Sequence, residues 1–492
     1  MTSLLDVRQR PEPPGQLNNE ASKGAWHAPD AGVIYGARKG PGGGLVGAVG
    51  PSRVAMGGVR MSRSRVRVGR WVAILAVVSL VGVIGVSAAG AQQNPPVNQP
   101  GVTDSEIRVG GVGTVSNDPT GNNPGGPAFE GTQAYFDYIN ASKDKGVCGR
   151  KLVLSSKRDD ALANNRQEIQ GLLDDNVFAA LPMATSLFTG ADLLVSNGIP
   201  TFGWLINGEW GSETVDPGPP NLFGQNGSFL NLTSPGPSYY ADAWLAQKLN
   251  KKRVALIAYN VPQSSGSADA VDATFQKFPK AGKVVFKDTS LSFGAVDYSV
   301  QVSKMKDEKV NLVIPSIDAN GAFTLAREMK KQGLNVPMIL PNAYNQERIA
   351  KNADVANGNY VFTGFTPFET KPKPQGLKLY EKWIKKSGGT KNENSVYGWL
   401  NADLFVRGLK AAGCDFTRQK VVDAVNQMTS YSGDGLVAPV DWTKAHQTAP
   451  SCFAWLKVEN GKFKPVFGEP DKPFLCFPAD LTSIPKNPET VG

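Results

Sequence analysis

The chain has 492 residues, 41% of them hydrophobic and 19% charged, with 52 Lys and Arg against 43 Asp and Glu. Residues 1–91 hold 11 of those basic and 4 of those acidic residues, which leaves 41 against 39 in the remainder. The net charge of +9 therefore resides mainly at the N-terminus, and with no zinc-finger spacing of Cys or His it gives no case for nucleic acid as a partner.

The N-terminal 60 residues carry PEPPG and KGPGGG and few clustered apolar side chains. They cannot bury a core, so 1–60 reads as a disordered or untranslated extension, with Met61 or Met56 as an alternative start. Residues 61–91 read as a secretory signal. Arg60, Arg63, Arg65, Arg67 and Arg70 form a basic head, Trp71 to Val86 an uncharged apolar run, and Ala89-Gly90-Ala91 a small-x-small cleavage pattern. The run has 16 residues, shorter than the roughly 20 a spanning helix needs. The exported chain is then expected in a periplasm or at a cell surface, either free or held by an uncleaved Trp71–Val86 segment. The sequence after Ala91, QQNPPVNQP, offers no cysteine for a lipid anchor.

The four cysteines, Cys148, Cys414, Cys452 and Cys476, all follow the leader. An even number in an exported chain points to two disulfides, with three possible connectivities. No CxxC pair is present, so no metal is expected.

From residue 104 onward, strand-like and helix-like segments alternate. A strand is expected from Ile107 to Val115, a helix over Phe129 to Ala141, and a strand at Lys151 to Ser155. A helix capped by Asp160 should run to Leu173, followed by a strand at Val177 to Leu181. Thr185 or Ser186 is expected to cap a helix that ends near Gly198, with a strand at Ile199 to Phe202 after it. This β-α repeat predicts a parallel, doubly wound sheet. After a Pro/Gly-rich break at 215–227 the pattern restarts. Helices are expected at 239–249, 267–278, 298–306 and 321–331, and strands at 253–258, 283–287, 311–314 and 338–340. A strand near 360–365, helices at 376–386 and 395–412, and a hairpin over 452–467 turning on Asn460-Gly461 complete the pattern. The Pro-rich tail after Gly468 is expected on the surface.

Catalytic chemistry finds little support. His446 is the single histidine after the leader and falls in a polar segment, where a solvated side chain is expected. There is no GxSxG elbow and no GxxxxGK[ST] loop, and Val-Gly-Gly-Val-Gly at 109–113 lacks the GxGxxG spacing. The pairs Asp159-Asp160 and Asp174-Asp175 read as caps or solvated charge. No enzyme activity and no cofactor are expected. Two parallel sheets instead predict a cleft between their carboxyl ends, lined by loops 113–129, 182–186, 203–207, 259–266, 315–320 and 341–345.

In order and spacing, TDSEIRVGGVGTVS, FEGTQAYFDYINA, GRKLVLSSKRDD, ADLLVSNGIPTF, VDYSVQVSKMKDEKVNLVI, AFTLAREMKKQGLNVPMIL and SVYGWLNADLFVRGLKAAG resemble the periplasmic substrate-binding proteins of ABC transporters, of the branched-chain amino acid (Leu/Ile/Val-binding) type. The resemblance covers roughly 104–467. It implies an α/β fold of the type I periplasmic binding protein kind, with two Rossmann-like lobes and a hinge of three crossovers. The implied division is lobe 1 at 104–228, lobe 2 at 229–360, a return to lobe 1 at 361–455, and a terminal hairpin strand and tail at 456–492. It also implies capture of an amino acid, amide or small organic acid and its delivery to ABC permease subunits by a monomer. A sensor without a transport role, or an enzyme on the same lobes, is the alternative.

The resemblance places a ligand carboxylate at Pro182 to Ser186, held by the Thr185 and Ser186 hydroxyls and a helix start. It places Trp204 and Asn207 on the next loop, and Asp318 and Asn342 where the family presents its ammonium-binding group. Asn342 carries no charge for an ammonium, which turns the expectation toward a more apolar cleft lined by Phe129, Trp204, Tyr259 and Tyr344. On this division Cys148 and Cys414 both follow lobe-one helices, and Cys452 and Cys476 flank the hairpin. Cys148–Cys414 and Cys452–Cys476 are the favoured pairs.

Overall fold

The computed structural model describes residues 95–211, 218–227 and 234–492. The extension and signal read at 1–91 lie outside these residues.

The first sheet is built from β1 (Glu106–Gly113), α1 (Gly125–Asn140), β2 (Lys151–Asp159), α2 (Asn165–Asp174), β3 (Ala179–Ala184), α3 (Ala191–Ser196), β4 (Thr201–Gly203) and β5 (Leu222–Gly224). Its five strands are all parallel, in the order β2-β1-β3-β4-β5. Alternate residues of β1 face opposite layers. Ile107 and Val109 pack with α1, and Val112 packs with Ile169 and Leu172 of α2. A Cβ at Gly111 would lie 2.3 Å from the Pro182 carbonyl oxygen, so glycine lets β1 and β3 approach.

The second unit comprises α4 (Pro237–Lys248), β6 (Arg253–Tyr259), α5 (Pro262–Lys277), β7 (Lys283–Leu291), α6 (Ser299–Asp307), β8 (Leu312–Ser316), α7 (Ala319–Lys331), α8 (Gln346–Lys351), α9 (Ala353–Ala356) and β9 (Tyr360–Thr363). Strands β7-β6-β8 are parallel. Single parallel bridges, Val313 to Met338 and Ile339 to Tyr360, carry the sheet on to β9. Leu312 and Ile314 of β8 share one core cluster with α4 and α5, whereas Val313 joins the cluster containing Val302, Met305, Phe323 and Met329 of α6 and α7. The sheet therefore lies between two helical layers.

The chain then returns to the first unit as α10 (Gln375–Lys386), α11 (Glu393–Ala411) and α12 (Arg418–Asn426). It ends in β10 (Cys452–Glu459), β11 (Lys462–Val466), β12 (Phe474–Cys476) and β13 (Glu489–Val491). Strand β10 pairs antiparallel with β9 on one side and with β11 and β12 on the other. Disulfides join Cys148 to Cys414 and Cys452 to Cys476.

Several elements differ from the sequence reading. The strands at 360–363 and 452–459 both belong to the second sheet, so the hairpin completes that lobe and the return to the first lobe lies between them. The hairpin does turn at Asn460-Gly461, where both φ angles are positive (52° and 68°). The tail after Gly468 is not wholly superficial, because Phe474, Leu475 and Phe477 are buried. Helices α8, α9 and α12 and strand β5 are short and were not anticipated. His446 is half-buried between Phe223 and Trp442, with Nε2 2.8 Å from Asn426 Oδ1, and burial lowers its pKa to about 4.

Candidate functional site

In a parallel sheet of order 2-1-3-4-5 the loops part at the carboxyl ends of β1 and β3, where the strand order reverses. Residues 114–124 and 185–190 leave the sheet there. Asp118 organises them. Its carboxylate accepts the Thr120 amide at 2.9 Å, the Thr120 hydroxyl at 2.6 Å and the Ser186 hydroxyl at 3.3 Å. Beyond β4 and β5, the Leu205 amide donates to Gln225 Oε1 at 3.0 Å, setting Trp204, Leu205 and Gln225 along the same rim.

The second sheet supplies the opposite rim. The Tyr259 hydroxyl, at the end of β6, donates to the Asp318 carboxylate beyond β8. Burial, reinforced by Asp318, raises the pKa of Tyr259, and burial raises that of Tyr298 to about 12. Two side chains bridge the rims directly: Gln263 Nε2 donates to the Ser186 carbonyl at 3.3 Å, and the Asn320 amide donates to the Thr120 carbonyl.

Between the rims lies a cavity of about 350 Å³. Ser186, Trp204, Tyr259, Asp318 and Asn342 line it. Thr185, Asn207 and Phe129 do not. The Thr185 hydroxyl is turned inward to Asp160 and to the Leu187 carbonyl at 2.9 Å. Asn207 is buried nearby, and Phe129 belongs to the core around α1. Tyr344 is also core, with its hydroxyl on Glu369 and accepting the Phe368 amide at 2.7 Å. No helix begins at Thr185 or Ser186, since α3 starts at Ala191 with Gly190 as its cap. The helix start expected beside these hydroxyls is therefore absent from this loop.

The lining includes four carboxyl side chains, Asp118, Asp242, Asp318 and Glu393, and no Lys, Arg or His among the described residues. Glu393, at the start of α11, is buried. Its pKa is raised by burial, and it accepts a hydrogen bond from the Tyr397 hydroxyl at 2.8 Å. Arg348 of α8 interacts electrostatically with Glu393 and Asp318 but does not line the cavity. Asp242, in the middle of α4, is 5% exposed, and burial raises its pKa to about 8. The sequence reading missed Asp242 and Glu393 because both sit in helices. Asp118 fell within an anticipated loop, and its Asp-Pro-Thr turn was the available signal. No group of His, Cys, Asp and Glu among the described residues has the arrangement of a metal site.

No curated protein matches this sequence. Among solved structures, a fatty acid ABC transporter substrate-binding protein from Thermomonospora curvata is 21% identical, with a TM-score of 0.62, covering 80% of this chain and 98% of its own. A branched chain amino acid ABC transporter protein from Thermus thermophilus with bound valine is 19% identical, with a TM-score of 0.61 and coverages of 74% and 95%. A solute-binding protein from R. palustris in complex with benzoate is 17% identical, with a TM-score of 0.59 and coverages of 74% and 96%. These likenesses establish the fold of two lobes around a cleft. A family model described as periplasmic binding protein matches residues 106–462, most of the chain, and the chain belongs to that family.

Proposed function

We propose that this chain is an extracytoplasmic solute-binding protein that captures a small molecule between its lobes and delivers it to an ABC permease. The observation that carries this reading is the 350 Å³ cavity between the carboxyl ends of two parallel sheets. Its size falls within the range of small-molecule sites, and it occupies the position where α/β sheets take ligands. Ser186, Trp204, Tyr259, Asp318 and Asn342 are the proposed contacts. The Gln263–Ser186 and Asn320–Thr120 bonds are of the kind that would form as the lobes close over a ligand and that a permease could read.

Solutes named for similar structures include valine, fatty acid and benzoate. Four carboxyls and no basic side chain among the described lining residues work against a ligand whose carboxylate is not neutralised. Within the expected classes, amides and other ligands without a free anionic group fit best. Two disulfides accord with an oxidising compartment, as does the signal read at 61–91.

The test is thermal shift over amino acids, amides, amines, alcohols and organic acids, followed by calorimetry on the hits. A hit whose affinity falls at least tenfold in Trp204→Ala supports the reading. Turnover of a bound compound, or the absence of any stabilising solute, would overturn it.

A further inference from the structure

The cavity does not stop at the interlobe cleft. It continues into the second lobe, between the sheet and the layer formed by α4 and α5. Ile314 of β8, Ile339, Phe362 of β9 and Phe453 of β10 form the floor. Ser264, Ser267 and Val271 of α5, spaced three and four residues apart on one helix face, form part of the roof.

The sequence of α5 explains the gap. Its first ten residues read PQSSGSADAV, and the side chains they turn toward the sheet are short. On the opposite layer, α7 presents Phe323 and Met329. Cores ordinarily fill such a space to near-crystalline density. The serines do not present free polar groups to the space. Ser264 Oγ accepts the Tyr259 amide at 2.8 Å and donates to the Ser316 carbonyl, and the Ser267 and Ser316 hydroxyls lie 3.2 Å apart.

Asp242 lines this inner branch from α4, and its Oδ1 is fully buried and accepts no hydrogen bond from any described residue. A buried acceptor left without a hydrogen bond is destabilising, so it calls for a partner. Burial alone raises its pKa, to about 8, with no facing cation contributing.

We propose that the branch is a specificity pocket. It admits the apolar body of an elongated ligand into the second lobe, and the leading end of that ligand donates a hydrogen bond to Asp242. The ligand is thereby an unbranched amphipathic molecule ending in a hydroxyl or amine, with no carboxylate at that end. This rests on the solute-binding reading and extends it from a cleft contact to a chemical class.

Calorimetry with linear alcohols, amines and alkanoates of increasing chain length tests the proposal. Above about pH 8, where the Asp242 carboxyl is ionised, alcohols and amines should bind more tightly than alkanoates of equal length, with affinity rising with length and then falling once the branch is full. Asp242→Leu should weaken alcohols and amines about tenfold, the loss expected for a hydrogen bond of about 1.4 kcal/mol. Val271→Trp, which fills the branch from α5 and leaves the Asp242 residue in place, should abolish the length dependence and serves if Asp242→Leu fails to fold. Equal affinity for alkanoates, or no change in either variant, overturns the branch. If binding is also lost in Trp204→Ala in that case, the solute-binding reading stands without it. No binding by any of these linear compounds overturns the branch, whereas the solute-binding reading falls only if no solute of the wider thermal-shift panel stabilises the protein.

Discussion

The Asp318 carboxylate accepts the Tyr259 hydroxyl and, at 2.8 and 3.0 Å, the Asn320 and Gly321 amides. One side chain thus caps α7 and orients a cleft tyrosine. A Cβ at Gly321 would lie 2.5 Å from the Tyr259 hydroxyl oxygen, so the helix start is shaped around that ring. Asp318→Ala should cost about 1 kcal/mol of stability in urea denaturation through the lost cap. It should also weaken ligand binding, because Tyr259 loses its anchor. Asp318→Asn retains a capping oxygen and should recover most of the stability. Unchanged affinity in Asp318→Ala would reduce Asp318 to a cap alone.

Much of this arrangement was legible in the sequence because strand-helix alternation dictates where parallel strands end. The loops at 113–129, 182–186, 203–207 and 315–320 follow from topology, and the family resemblance picks out Ser186, Trp204 and Asp318 within them. Thr185 was chosen for its hydroxyl, yet neighbouring residues at a strand end point in opposite directions, and its partner Asp160 takes it inward. Asp242 and Glu393 could not be read this way. In a helix sequence a carboxylate looks the same on a solvated face as on a cavity wall, and only the packing of α4 against the sheet distinguishes them. The placement of β9 and β10 in one sheet was hidden for a related reason, since strands separated by about ninety residues show no local sign of pairing.

Asp242 makes the stability of the ligand-free protein depend on pH. Its folded pKa of about 8 exceeds the ordinary carboxyl value of 3.8, so the folded state binds the proton more tightly. The stability present below about pH 4 is lost as pH rises toward 8, at up to about 1.4 kcal/mol per pH unit. His446, lowered to about 4 by burial, acts in the opposite direction between about pH 4 and its ordinary 6.5. The informative quantity is therefore a difference between variants. Asp242→Asn should gain stability over the parent protein as pH is raised from 5 to 8, in urea denaturation without ligand. A constant difference would show that Asp242 titrates normally.

The Cys148–Cys414 bridge closes a sequence separation of 266 residues, with its Cα atoms 5.6 Å apart. It pins the loop after α1 to the end of α11. Loop-closure entropy gives such a bridge about 5–6 kcal/mol. Cys148→Ser/Cys414→Ser should unfold at markedly lower urea than the parent, while Cys452→Ser/Cys476→Ser, closing 24 residues, should lose less. An equal loss from the two would contradict the entropic account.

Gly131 and Gly398 lie where α1 and α11 cross, and the Thr132 hydroxyl donates to the Gly398 carbonyl at 3.0 Å. A Cβ at Gly131 would fall 1.9 Å from the Ser395 carbonyl oxygen, and one at Gly398 would fall 1.9 Å from that of Ala128. The obstacle in both cases is backbone, which cannot rotate away. In an exposed helix Gly→Ala stabilises by up to about 1 kcal/mol, so the sign of the effect is diagnostic. Gly398→Ala should instead destabilise by about 1–3 kcal/mol, as overpacked cores do. It should also weaken ligand binding, because prying α11 from α1 displaces Glu393 and Tyr397 at the cavity wall. Stabilisation by Gly398→Ala in urea denaturation would mean that the two helices do not approach so closely.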